Sequence, residues 1–89
     1  MGNDIQQIRI QLIDTIQKAH SGVQAIFMID SAVKNLMERN MHGQVIIRFM
    51  EKLNMDIDEL KDKAQDEMHK IFHTASTRLR FLRERLFIV

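Results

Sequence analysis

Apolar residues recur along this chain at steps of three and four, most regularly toward its end. Ile57, Leu60, Ala64, Met68, Ile71, Ala75, Leu79, Leu82 and Leu86 form one seam, a spacing that keeps a single helix face dry and excludes strands. Asp56 precedes the seam and Glu59 follows three positions later, the arrangement of a capping box. The pattern therefore predicts one helix of about thirty residues and about 45 Å starting near Ile57. Its first half is acidic and its second half basic, which complements the helix dipole at both ends.

Earlier in the chain, Ile5, Ile8, Leu12, Ile16 and Ala19 make a second stripe, with Asn3 or Asp4 as cap and Ser21-Gly22 as its end. The alternative is a helix running through Gly22, since one interior glycine costs only about 1 kcal/mol. From Val23 to Arg39 apolar residues are so dense that a central, largely covered helix is expected. Asn40-Met41-His42-Gly43 reads as a helix end containing a left-handed residue. Gln44 to Leu53 predicts a short helix, which Asn54-Met55-Asp56 would separate from the long one. The expected fold is all-α: one domain over residues 1–89, a small bundle of about four helices, three long and one short, with a long C-terminal helix.

A rod of that length needs cover from several segments or from a second subunit, so a homodimer is expected. The 89 residues contain no proline, three glycines and 45% hydrophobic residues, a globular composition with room for one modest core. Seven methionines suit an adaptable core. Without cysteine there is no disulfide, thiol nucleophile or cysteine-based zinc site, and a cytoplasmic location is the expectation. The first residues have neither the basic start nor the apolar run of a signal peptide, and Gln6 stands where myristoylation of Gly2 would need Ser or Thr.

Charge is distributed unevenly although the chain carries only +1. Residues 70–89 hold Lys70, Arg78, Arg80, Arg83 and Arg85 against Glu84, while residues 51–68 have an acidic excess. Those two stretches could pair with each other, or the basic one could meet an acidic protein, phosphate or anionic lipid. Phe81 and Phe87 lie off the main seam. The candidate partner-binding residues are accordingly Arg78, Arg80, Phe81, Arg83, Arg85 and Phe87. Asp30 interrupts the apolar side of its helix; if buried it needs a cation such as Arg9 or Arg48.

Signs of catalysis are missing: there is no nucleotide loop and no Ser-His-Asp spacing. Phe49 to Leu60 has the rhythm of a helix-turn-helix, but its reading helix would open on Asp58-Glu59, carboxylates that phosphates repel. His69 and His73 share one stripe with Asp62 and Asp66; a straight helix aims too few of these at one ion, so no metal or other cofactor is expected. His73 to Leu79 resembles the His-x-x-x-Thr-x-Leu spacing of histidine-kinase dimerisation helices, without the acidic residue after His or the proline before Leu. Ala19-His20-Ser21-Gly22 resembles the start of a histidine-phosphotransfer motif, without its lysine.

The expected function is that of a small non-enzymatic protein-interaction module, a regulator, adaptor or chaperone-like factor with a dimeric helical interface. A nucleic-acid-associated regulator using Arg78, Arg80, Arg83 and Arg85 comes second, and a phosphotransfer module using His73 third. Membrane-surface contact by the arginine-rich end is expected least.

Overall fold

The backbone of residues 3–88 and the side chains of residues 5–85 are described by a computed structural model. Four helices follow one another: α1 (Asn3–Gln17), α2 (Gly22–Glu38), α3 (Gly43–Lys63) and α4 (Asp66–Ile88). The all-α bundle with a long last helix is as expected, but the short helix is absent. Instead α3 runs unbroken through Asn54-Met55-Asp56 and ends at Ala64-Gln65.

The displaced boundary has a physical reason. Ile46, Met50, Leu53, Ile57 and Leu60 continue at steps of four and three, so a helix crossing residues 54–56 loses no burial. The polar side chains there point to partners on other helices: Asn54 meets Ser76, and Asp56 pairs with Arg9. Asp56 is thus an inter-helix partner and no cap, and the supposed helix-turn-helix is one continuous helix. At the true break Ala64 turns extended (φ −87°, ψ 158°) and Asp66 adopts φ 54°, a left-handed conformation that Asp tolerates better than most residues. His69 Nδ1 lies 3.0 Å from the Lys61 carbonyl, which also accepts from the Ala64 N–H at 3.2 Å, so the Nδ1–H tautomer adds a second bond at the end of α3. Asp62 and Asp66 consequently belong to different helices, and the one-helix stripe shared with His69 and His73 does not exist.

Inter-helix pairs fix the directions. Glu51 with Arg83, Asp58 with Ser76 and Lys61 with His69 run in opposite order along α3 and α4, which makes them an antiparallel hairpin. Gly22 with Thr74 and Asp30 with Arg78 place α2 parallel to α4. Helix α1 packs on α2 and α3, and α4 on α3 and α2. The body measures 37 × 28 × 19 Å, two helix layers thick at its narrowest. Its core joins Leu12 and Ile16 of α1, Ile29 and Leu36 of α2, Phe49, Leu53 and Ile57 of α3, and Ile71, Ala75 and Leu79 of α4. Leu60, Ala64, Met68 and Leu82 pack against it, so the described part of the sequence seam faces the chain's own core, carried by two helices instead of one.

The two earlier junctions carry their signals in sequence. Ser21 caps α2, its hydroxyl accepting from the Gln24 N–H at 3.2 Å, while Gln24 Oε1 accepts from the His20 N–H at 2.7 Å. This is a near-complete Ser-x-x-Gln capping box, and it separates α1 from α2. At the end of α2 Asn40 supplies the left-handed residue (φ 59°). The Asn40 N–H donates to the Met37 carbonyl and the Met41 N–H to that of Leu36, the pairing of a Schellman motif. His42 then caps α3, Nδ1 accepting from the Gln44 N–H at 3.2 Å.

Gly22 serves close approach, not backbone freedom. A Cβ there would lie 3.0 Å from Thr74 Cγ2 and Oγ1 and 3.1 Å from Thr74 Cβ, whereas one at Gly43 would meet nothing within 4 Å. Gly22→Ala should therefore lower unfolding free energy by about 1 kcal/mol, and by less in a Thr74→Ala background. Gly43→Ala should raise it by about 0.4–1 kcal/mol. Urea unfolding of the set checks both; a stabilised Gly22→Ala would contradict the α2–α4 crossing described here.

Candidate interaction surface

Two stripes flank the core face of α4, and the helical repeat sends them to opposite neighbours. Ser76, Arg80 and Arg83 face α3. Thr74, Arg78, Phe81 and Arg85 face α2. The cluster of arginines that is continuous in sequence is thereby divided between two environments.

Toward α3 the polar contacts close within the chain. Ser76 is buried, its Oγ 2.9 Å from Asp58 Oδ1 and 2.8 Å from the Asn54 carboxamide. The hydroxyl has one proton, and both Asn54 Oδ1 and Asp58 Oδ1 stand as acceptors for it. Arg80 lies 3.8 Å from Asp58, and Arg83 3.4 Å from Glu51. These exposed pairs are each worth about 0–1 kcal/mol, but they engage two of the four candidate arginines with the acidic half of α3.

Toward α2 lies a groove of about 400 Å³ lined by Ile26, His73, Thr74, Thr77, Arg78 and Phe81. Arg78 crosses it to form a bidentate pair with Asp30, Nε to Oδ1 and Nη2 to Oδ2, both at 2.8 Å. That hydrogen bond holds the Arg78 guanidinium above its ordinary pKa, against a smaller opposing effect of burial. Asp30 is thus an inter-helix partner of Arg78, and not of Arg9 or Arg48. The Phe81 ring carries two guanidinium groups, Arg78 at 5.1 Å and Arg85 at 5.4 Å from its centroid, within cation–π range.

Apolar side chains of the two helices stand open to solvent: Phe81, in the groove, is 44% exposed, and on α2 Val23 is 77% and Phe27 74% exposed. Val23 and Phe27 are one turn apart on α2, on the side turned away from its buried face of Ala25, Ile29, Val33 and Leu36. The density of apolar residues in α2 predicted a covered helix; its inner face is covered by Ala25, Ile29, Val33 and Leu36, and its outer side is bare. Phe27 and Val23 were missed as site residues because a dense apolar helix gives no sign of which residue lacks a neighbour.

The remaining sequence candidates are scattered. His73 is exposed at the groove edge and His20 is exposed in the α1–α2 connection. Among the described residues no three metal-ligating side chains come together, and no helix is long and apolar enough to cross a membrane. The Phe87 side chain lies outside the described residues. A second hollow of about 250 Å³ between α1 and α3, lined by Arg9, Arg48 and Lys52 over Ile5, Val45 and Phe49, lacks an exposed aromatic rim.

Compared with protein-family models, with curated proteins and with solved structures, the chain matches none.

The Asp30–Arg78 pair should couple in a double-mutant cycle. With roughly a third of each side chain exposed, Asp30→Ala and Arg78→Ala should show an interaction of about 0.5–1 kcal/mol in unfolding free energy, screening included. Additive effects of the two substitutions would mean that the pair does not form in solution.

Proposed function

We propose that the protein is a small non-enzymatic interaction module that binds another helix in the groove between α2 and α4. The observation that carries this reading is the exposure of Val23 and Phe27 on α2 and of Phe81 on α4 on a chain whose core is otherwise assembled from all four helices. Leaving a phenylalanine three-quarters in water forgoes about 1.5–3 kcal/mol of burial, and clustered exposure of this kind marks contact sites. Arg78, Phe81 and Arg85 belong to this surface; Arg80 and Arg83 face α3 and serve the hairpin.

A phosphate-binding role for the basic end has less support. Arg78, Arg80 and Arg83 each have a carboxylate of this chain within 4.0 Å, which reduces the field left for a polyanion. The groove reading covers a foreign helix and a second copy alike. Within one chain Ile71, Ala75 and Leu79 of the seam are buried and Leu60, Ala64, Met68 and Leu82 partly so, which leaves less of it for a dimer, and the open side of α2 offers a second copy an alternative surface.

Val23→Ser combined with Phe27→Ser tests the reading. Both side chains are exposed, so thermal unfolding should stay within about 0.5 kcal/mol of the parent. Capture of a partner from nuclease-treated extract should be lost in the same variant. Retained capture, or capture abolished by nuclease alone, would contradict a protein-binding groove on this face.

A further inference from the structure

Resting on the interaction-module reading above, we infer that the partner is a second copy of this chain, held by an antiparallel contact of α2 with α2 in a register that sets Phe27 opposite Met37. Val23, Phe27, Asp30, Lys34 and Met37 follow one another at steps of four, three, four and three, so they share one stripe of α2. This is the a/d spacing of a coiled-coil seam, sustained for about two heptads. The helix already buries a different stripe, Ala25, Ile29, Val33 and Leu36, in its own core. On the heptad stripe Val23, Phe27 and Met37 are exposed, as is Lys34, and the Asp30 side chain keeps 38% of its surface in water.

The order of residues along the stripe decides the occupant. A two-fold interface must be self-complementary, and from Phe27 to Met37 this stripe reads apolar, acidic, basic, apolar, a sequence that its own reverse matches. Centred at position 32, the antiparallel pairing sets Phe27 against Met37 and Asp30 against Lys34 of the second copy, each twice. Val23 closes both ends, beside the turn that follows α2 of the second copy. A parallel pairing would oppose Asp30 to Asp30 and Lys34 to Lys34, and like charges so placed disfavour it. Asp30 is already bound by Arg78 through both oxygens, but an ionised carboxylate offers about four acceptor positions, so the ammonium of a second copy can share it. Because Arg78 offsets part of that charge, the Asp30–Lys34 layers select orientation, while Phe27, Met37 and Val23 supply the affinity.

The contact uses one 17-residue helix from each chain, with about 21 Å of stripe from Val23 to Met37 at about 1.5 Å per residue. Interfaces of that extent lie at the small, transient end of the range. The dimer should accordingly exchange with monomer, leaving the stripe open in dilute protein.

Sedimentation equilibrium of the full chain and its variants tests this, with circular dichroism to show that each variant stays helical. The parent should pass from monomer to dimer between micromolar and millimolar concentration. Val23→Ser with Phe27→Ser should abolish the dimer, and Lys34→Glu should weaken it at least tenfold, since both symmetry-related layers then oppose like charges. Mixing the Lys34→Glu chain with an Asp30→Lys chain should restore association as a heterodimer, because each layer again joins opposite charges. The sequence has no cysteine, so single replacements report the register. Phe27→Cys mixed with Met37→Cys should cross-link on oxidation with diamide, and neither alone should, its two thiols being offset by about 15 Å.

A parent that stays monomeric throughout overturns the inference. If Val23→Ser with Phe27→Ser then still abolishes capture of another protein, the face belongs to a foreign partner and the interaction-module reading stands; if the parent captures nothing, that reading falls as well. A dimer indifferent to Val23 and Phe27, one unchanged by Lys34→Glu, or cross-linking of the Phe27→Cys chain with itself also overturns the α2 pairing.

Discussion

Burial of one face of α4 between α2 and α3 is the constraint on which the rest of this molecule depends. Ile71, Phe72, Ala75 and Leu79 are almost wholly removed from water, and at about 1.5–3 kcal/mol for each large side chain they outweigh any ion pair on the surface. The polar contacts that flank them act on register. Ser76 locks α4 to Asn54 and Asp58 of α3, and Arg78 locks it to Asp30 of α2. A sliding of α4 by one turn would keep much of the apolar burial but strand a buried hydroxyl, whose desolvation costs about 1–3 kcal/mol. Apolar packing holds the bundle together, and a few polar groups select one arrangement of it.

Which parts of this architecture could be read from sequence follows from the same distinction. Periodicity identified the inward faces: Ile5, Ile8, Leu12 and Ile16 all pack in or against the core, as do the described residues of the late seam. Local cap chemistry was also legible, since Ser21-Gly22 and Asn40 mark the first two junctions. The third junction was not. Asn54 and Asp56 look like turn residues when only their neighbours in sequence are considered, yet each is a helix residue whose partner lies 22 or 47 positions away. Ala64-Gln65 carries no glycine or proline to mark the actual break, and the seam crosses it with no change of period because both helices face one core.

The candidate surface was partly legible for a similar reason. Phe81 stood out because it falls off the seam of α4, and Arg78 and Arg85 because they belong to a basic run. What sequence could not give was the partition of that run, since the side of α4 on which an arginine ends matters only once α2 and α3 are in place. Val23 and Phe27 were read as core, correctly for their residue types but not for their positions: α2 offers more apolar surface than three neighbouring helices cover. Excess of apolar surface, rather than any catalytic constellation, is the feature of this chain that points outward.

Solvent paramagnetic relaxation, measured on side-chain signals with a neutral spin-labelled cosolvent, tests most directly whether that face is open. The account predicts strong broadening of Val23, Phe27 and Phe81 in the free protein at low concentration, alongside protected Ile71, Phe72 and Leu79. Protection of Phe27 and Phe81 equal to that of the core, independent of protein concentration, would mean that the chain covers this surface itself and would contradict the groove as a site of interaction.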